Sequence, residues 1–383
     1  MTTLEEYARR AVDVGDPILS SCNHGTPGNF RKCATIAEKY GLKWRYVVET
    51  YFVKDRNEKD NKNCHLILAA KTAKGIGDIN EAISEANVTG YYYRARIDRE
   101  ILYGLNPRDV FVTTACVAGV YKYGFDDAEE LIEEMHEHFR DSLMLEVQYH
   151  DTEKQKEINR FLLQIYRKRG IPLIMGMDSH YIHEKDSILR DQRLAANNIN
   201  YEDESGWIMH YPTEDEARQL FLNQGILSPS QINEAINNTN VFVDFEDVVF
   251  DKSKKLPNIY PDLSQEERNQ KYRDLVDEKW KEFSEGMTAE EKRVREEGIK
   301  YEVDTITSTN TSDYFLVANK VVEKAVKNGG IITPTGRGSG VSYFTNTLLG
   351  FSSVDRFAAP VEMFPDRFIS ADRLKSGALP DLD

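Results

Sequence analysis

Short apolar runs of strand length alternate with amphipathic helical stretches through the first 180 residues, and this alternation most constrains the fold. Ile18–Cys22, Arg45–Thr50, His65–Ala70, Val110–Thr114, Leu143–Val147 and Pro172–Gly176 read as strands. Among the intervening helices, Leu4–Val14 sets Leu4, Tyr7, Ala8, Ala11 and Val12 on one face, and Asn29–Tyr40 is closed by Gly41. Further helices are expected at Ile79–Ala86, Asp126–Arg140 and Glu153–Arg169. Such a pattern predicts a largely parallel sheet or a barrel, whose sites collect at the C-terminal ends of strands.

The residues at those ends form a set. His24 follows the first strand, Glu49 ends the second, Cys116 follows Val110–Thr114, and Asp178 and His180 follow the last; His65 begins its strand instead. A His, Glu, Cys and Asp set suits zinc or manganese. Singly, each reads as a packed side chain. Asp-x-His after a buried strand, and polar ligand types at successive strand ends, point to a site.

The C-terminal part reads differently. Asp251–Leu263 is polar, carries Pro257 and Pro261, and reads as a domain boundary. Gln265–Ser308 is a long, highly charged helical region whose alternating signs read as a solvated face. Tyr314–Lys327 reads as an apolar helix carrying Phe315, Leu316, Ala318, Val321, Val322 and Ala325. Ile331-Ile332 reads as a short strand entering the turn Gly336-Arg337-Gly338-Ser339-Gly340, and Ser342–Leu349 as a helix. Amides of a glycine turn backed by a helix N-terminus bind phosphate. The chain closes on Asp381-Leu382-Asp383. On a strand both carboxylates would face one point and could hold magnesium, which prefers oxygen ligands and substrate phosphates. The two features together predict metal-assisted phosphoryl or nucleotidyl transfer.

Composition bounds the alternatives. The 383 residues carry a net charge of −15, which argues against a general nucleic-acid binder. The four cysteines, at 22, 33, 64 and 116, form no C-x-x-C pair and read as free thiols in a reducing, cytoplasmic compartment. No run of eighteen apolar residues exists, so no transmembrane helix is expected, and the first residues lack a signal-peptide core.

The motifs Asp313-Tyr314-Phe315-Leu316-Val317, Thr335-Gly336-Arg337-Gly338-Ser339-Gly340, Leu348-Leu349-Gly350-Phe351-Ser352-Ser353-Val354-Asp355, Phe364-Pro365-Asp366-Arg367-Phe368 and Leu379-Pro380-Asp381-Leu382-Asp383 resemble, in order and spacing, the start of the palm in the alpha subunit of bacterial replicative DNA polymerase III, the C-family polymerases. Asn23-His24-Gly25, Glu49, His65–Ala69, Tyr91–Asp98, Thr114-Ala115-Cys116 and Asp178–Tyr181 resemble that family's PHP (polymerase and histidinol phosphatase) domain. The resemblance implies an α/β chain: a PHP-type distorted (β/α) barrel over 1–250, then linker helices and the beginning of a polymerase-beta-like nucleotidyltransferase palm over 251–383. It implies that Asp381 and Asp383 are catalytic and hold magnesium, and that Arg337, Gly338, Ser339, Arg367 and Arg373 meet the nucleotide triphosphate. His24, Glu49, His65, Cys116, Asp178 and His180 match metal-ligand positions of the PHP part, where zinc or manganese would sit. The implied partners are primer-template DNA, nucleoside triphosphates, a C-terminal polymerase fragment, a sliding clamp and other replisome proteins.

Three departures from the family pattern shape the expectation. The opening strand with its His-x-His motif is missing, Asn23 stands where the family has an aspartate, and the sequence stops at Asp383 inside the catalytic motif. The spacing from Arg373 to Asp381 is also longer than the family's. These predict weak or absent PHP nuclease activity. They also predict a chain inactive alone and completed by a second part, through a split gene joined by protein splicing at a known intein position; a phage source fits the divergence. The alternatives are a PHP-type metal-dependent phosphoesterase or 3′–5′ exonuclease, and a non-catalytic scaffold.

Overall fold

The computed structural model describes residues 2–199, 206–251, 256–332 and 338–382. The chain forms two compact units, 1–250 and 251–383.

The first unit begins with α1 (Leu4–Val14), whose N-terminus is closed by a Thr3/Glu6 capping box. There follow β1 (Ile18–Ser20), β2 (Asn23–His24), α2 (Phe30–Tyr40), β3 (Lys43–Arg45), β4 (Val47–Phe52), β5 (Cys64–Ala70), α3 (Ala73–Val88), β6 (Arg96–Ile97), α4 (Arg99–Gly104), β7 (Val110–Thr113), α5 (Phe125–Phe139), β8 (Leu143–Val147), α6 (Glu153–Arg169) and β9 (Leu173–Met175). Three helices complete the unit: α7 (Ser187–Ala196), α8 (Glu214–Gln224) and α9 (Pro229–Asn237). Strands β1 and β3 pair separately, and the main sheet runs β2-β4-β5-β7-β8-β9 with β6 beside β4.

This mixed α/β sheet is less parallel than its sequence suggests, because β5 is antiparallel to both β4 and β7. The link from β4 to β5 carries no helix, and parallel neighbours need a long crossover, usually helical. On α1, Ala8 and Ala11 are buried but Val12 is exposed.

The central strands β4, β5, β7 and β8 are buried on both faces, and their alternation separates two environments. Val48, Leu66, Leu68, Val112, Leu145 and Leu173 belong to the larger core, with residues of the surrounding helices. Val47, Ala69, Phe111 and Ile174 lie on the other face and pack with Phe245. Buried Arg45 fixes the segment that brings Phe245 in, donating to the Val243 carbonyl and pairing with Asp247 at 2.8 Å. One step further along the same face (Val47 to Glu49, Phe111 to Thr113, Ile174 to Gly176), this inner layer turns polar.

The second unit is helical: α10 (Gln265–Phe283), α11 (Ala289–Ser308), α12 (Ser312–Lys327), α13 (Phe344–Leu348) and α14 (Ala371–Lys375). Ser264/Glu267 and Thr288/Glu291 capping boxes start α10 and α11. Its core joins Tyr272, Val276, Ile299, Val303, Ile306, Phe315, Phe344 and Phe368. Several expectations fail here. The charged region is two helices with buried charges, Arg295 and Glu302, rather than one solvated face. The C-terminal half of α12 is largely exposed, Val321 included. Ile331-Ile332 is not a strand and Ile331 is exposed. Asp381-Leu382 forms no strand: a strand needs a neighbour, and the described residues of this unit contain none.

Candidate functional sites

In the first unit the polar inner layer gathers a compact ligand group. Glu49 accepts from both flanking imidazoles: His24 Nε2 stands 2.9 Å from Oε2 and His65 Nδ1 2.8 Å from Oε1. Donor atoms of the three residues lie within 4.8 Å of one another, a candidate metal site. Cys116 Sγ lies 3.5 Å from Glu49 Oε1 and 3.6 Å from His65 Nδ1. His65 joins the group because of the antiparallel step. The start of β5 lies beside the end of β4, with His65 opposite Tyr51.

Backbone conformation helps aim the remaining members. Ala115, just before Cys116, and Asp178 adopt positive φ, 59° and 46°. Such values are uncommon for non-glycine residues and cluster at functional sites. Asp178 sits beyond β9, at the far edge of the sheet from β2, yet its charge interacts with those of His24, Glu49 and His65. Asp178 thus lies near the group without joining its three close-set ligands, and no ladder links the two sheet edges among the described residues. His180 is exposed and engages the Asp178 carbonyl at 2.8 Å through Nδ1, at the margin of the group.

Charge in the pocket is divided by environment. Burial would push the Glu49 carboxyl up, but the hydrogen bonds from His24 and His65 hold it well below the usual range. The Glu49 hydrogen bond raises the His24 pKa. Burial raises Asp178 despite nearby His180, and raises the Cys116 thiol well above its ordinary value. A further carboxyl escaped the sequence reading. Glu146, on β8, is 9% exposed and accepts from Thr113 Oγ1 at 2.6 Å and Gln148 Nε2 at 2.9 Å. Burial lifts its pKa to about 7, the neighbouring Glu49 and Asp178 charges adding to the effect. Its carboxyl occupies the space where a Cβ on residue 176 would sit, 2.0 Å from Oε1, so a side chain there would displace this carboxyl. The signal was a lone acid in the apolar run Leu143–Val147.

In the second unit Arg337 and Asp383 lie outside the described residues. Gly338 is exposed with φ 76°, a left-handed conformation glycine adopts freely, and Ser339 follows it half-buried. The helix behind the loop does not offer its amides to a ligand. α13 is five residues long, and the amides of Phe344 and Thr345 donate to the carboxylate of buried Glu302 at 3.0 and 2.7 Å. Arg356 closes the arrangement, Nη2 standing 3.0 Å from Glu302 Oε1. Asn346 Nδ2 ties back to the Gly340 carbonyl at 2.9 Å. The Pro365–Arg367 turn packs beside the Gly340–Ser342 turn, so Arg367 stands near the loop with an exposed side chain. Arg373, on α14, is also exposed and donates weakly to the Phe368 carbonyl at 3.4 Å. Tyr314 fixes the approach to the C-terminal acids, its hydroxyl donating to the Pro380 carbonyl at 2.8 Å. Burial and the charge of Asp381 raise the Tyr314 pKa. Asp381 itself is exposed.

Comparison with known proteins agrees with this division of chemistry. Residues 1–150 match the PHP domain family, and residues 238–383 match the bacterial DNA polymerase III alpha NTPase domain. The first part of the mixed α/β chain is thus similar to PHP domains and its last part to polymerase III alpha domains. Over nearly its full length it is similar to DNA polymerase III alpha subunits. It is 25% identical to that of Aquifex aeolicus, covering 99% of this chain and 34% of that protein. It is 23% identical to that of Treponema pallidum, covering 100% and 33%. A PolC-type DNA polymerase III of Pediococcus pentosaceus is 24% identical over 83% of the chain and 22% of that protein. The chain spans about a third of the length of the curated alpha subunits it matches. No helix among the described residues is long and apolar enough to cross a membrane.

Proposed function

We propose that this chain supplies the PHP domain and the first part of the nucleotidyltransferase palm of a replicative DNA polymerase, acting in the cytoplasm of a bacterium or of a phage-infected host. The observation that carries the reading is similarity to polymerase III alpha subunits along 99% of the chain, with the glycine loop and the Asp381 segment inside the region matching the alpha NTPase domain. In this reading Asp381 and Asp383 hold magnesium. The exposed Asp381 carboxylate, on a segment anchored through Tyr314, suits an oxygen-ligand ion. Magnesium, when bound, acidifies the primer 3′-hydroxyl and stabilises charge on the leaving pyrophosphate. Arg337, Gly338 and Ser339 contact the incoming triphosphate, and Arg367 and Arg373 neutralise its oxygens, for which a guanidinium offers a two-pronged donor. With the α13 amides committed to Glu302, these arginines carry more of the phosphate charge than a helix terminus does. The primer-template, the remaining polymerase region and a sliding clamp are the partners. The test is labelled-nucleotide incorporation by the chain together with its C-terminal polymerase part. Asp381→Ala should lower it by several orders of magnitude, each metal ligand contributing several kcal/mol; near-normal incorporation would refute the assignment.

A second reading is favoured by the His24–Glu49–His65 group, a donor set suited to zinc or manganese. There the PHP domain is a metal-dependent phosphoesterase or 3′–5′ exonuclease. Asn23 weighs against strong activity. Its side-chain amide donates to Asn29 Oδ1 at 2.7 Å, in a network with Ser21, and it is neutral where an acidic ligand would help hold a second ion. We expect hydrolysis to be weak and the domain to serve mainly as scaffold. A stoichiometric, chelator-sensitive exonuclease on adding manganese or zinc would reverse that order.

A further inference from the structure

The segment Tyr91–Arg94 lies beside the candidate metal group and has no part in the functions above. Independently of the polymerase reading, we propose that Arg94 and the exposed rings of Tyr91 and Tyr93 form a rim that binds single-stranded nucleic acid, with the guanidinium on a backbone phosphodiester and the tyrosines stacked on bases.

Tyr51, two residues beyond Glu49 on β4, connects the rim to the pocket. Its ring stacks near His24, with centroids 6.2 Å apart, and meets His65 edge-on at 5.3 Å. The Arg94 guanidinium carbon lies 4.5 Å from the same ring centroid, and Nη1 donates to the Tyr51 hydroxyl. Arg94 is thus one aromatic ring away from the His24–Glu49–His65 group. Its charge reaches His24, whose pKa it opposes.

Two arginines, two residues apart, behave differently. Arg96 is buried and spends its donors on the carbonyls of Gly90, Glu58, Asp60 and Arg56, at 2.7–2.9 Å. It is the anchor of the segment. Arg94 is exposed and makes no ion pair among the described residues. The turn between them is fixed: Tyr92 and Arg94 form an isolated antiparallel bridge, and Tyr93 at the apex has φ 59°. Tyr92 sits under the Arg96 guanidinium at 5.4 Å and meets Tyr93 edge-on at 4.7 Å. Tyr91 and Tyr93 remain 63% and 75% exposed. A cation held over a ring, flanked by large exposed rings on a turn anchored by Arg96, matches how single strands are held, through phosphate charge and sequence-tolerant base stacking.

The experiment is fluorescence anisotropy of a labelled oligothymidylate with the full chain in chelator, so that binding is read without hydrolysis. Wild type should bind. Arg94→Ala and Arg94→Gln should each weaken binding about tenfold, the equivalent of one phosphate contact, and reduce the slope of log K against log salt by about 0.7. Tyr93→Ala should weaken it by about fivefold to tenfold without changing the slope. Arg167→Ala, exposed on α6, should bind as wild type. Unchanged thermal melting of Arg94→Gln shows that the loss is not misfolding. The proposal is overturned if wild type does not bind, if Arg94→Ala binds normally, or if Arg167→Ala loses as much. Displacement by inorganic phosphate as effective as by thymidine monophosphate would indicate a free-phosphate site and also overturn it.

Discussion

Glu146 shows how one side chain can set a pH dependence. The folded protein holds its carboxyl near pKa 7, against an ordinary value of 4.5, because it is buried beside Glu49 and Asp178. The folded state therefore binds a proton that the unfolded state releases between those two values. Stability from this group is full below about pH 4.5 and falls as pH rises towards 7, by about 3 kcal/mol in all. Glu146→Gln should remove that loss. Its oxygen can still accept from Gln148, and its amide can donate to the Thr113 hydroxyl. Urea unfolding at pH 5 and pH 8 checks this: the variant should gain on wild type at pH 8, and an unchanged difference at the two pH values would sink the claim. At this scale the site was partly legible. His24, Glu49 and Cys116 stood out as polar residues at strand ends. Which of them converge was not legible, since that depends on the antiparallel β5 bringing His65 to the same rim and on positive φ at Ala115 and Asp178. Glu146 showed only as a lone acid in an apolar run, because a strand interior gives no local sign of which pocket it borders.

Among the elements, α11 departs most from its reading. A helix dense in Glu, Lys and Arg suggests solvent on all sides, yet Ile299, Glu302, Val303 and Ile306 share one buried face. That spacing of three and four was present in the sequence. The charge count concealed it, because a buried carboxylate is explained only by partners far along the chain. Those partners are the Phe344 and Thr345 amides and Arg356, so Glu302 caps α13 and positions the segment following the glycine loop. Burial raises the Glu302 pKa against these stabilising bonds. Glu302→Ala would strand two amides and leave Arg356 with an unpaired, mostly buried guanidinium. A destabilisation of about 3–5 kcal/mol is expected in chemical denaturation. An unchanged midpoint would mean that the α13 segment is held by its apolar residues alone. The Asp381 strand was misread for the converse reason, since pairing with a neighbour cannot be seen in a local pattern.

At the scale of the whole molecule, the cores are drawn from separate stretches. The two clusters of the first unit use residues up to Phe250, and the cluster of the second starts at Tyr260. Among the described residues each unit has a core of its own, so residues 1–250 expressed alone should unfold cooperatively. The strand and helix alternation made this part legible as an α/β unit, whereas the helical second unit was recognised by motifs more than by periodicity. The candidate metal group lies wholly within 1–250, and this permits a sharper test. A ligand that binds only the folded state adds about 2.7 kcal/mol at a hundred times its dissociation constant. Zinc or manganese should therefore raise the melting temperature of the 1–250 fragment and of the full chain's corresponding transition by similar amounts. Glu49→Ala should abolish both shifts, because it removes the carboxylate that His24 and His65 share. A metal shift that survives Glu49→Ala would place the ion elsewhere. A shift seen only in the full chain would show that the fragment does not preserve the pocket, and that the two units depend on each other more than their separate cores imply.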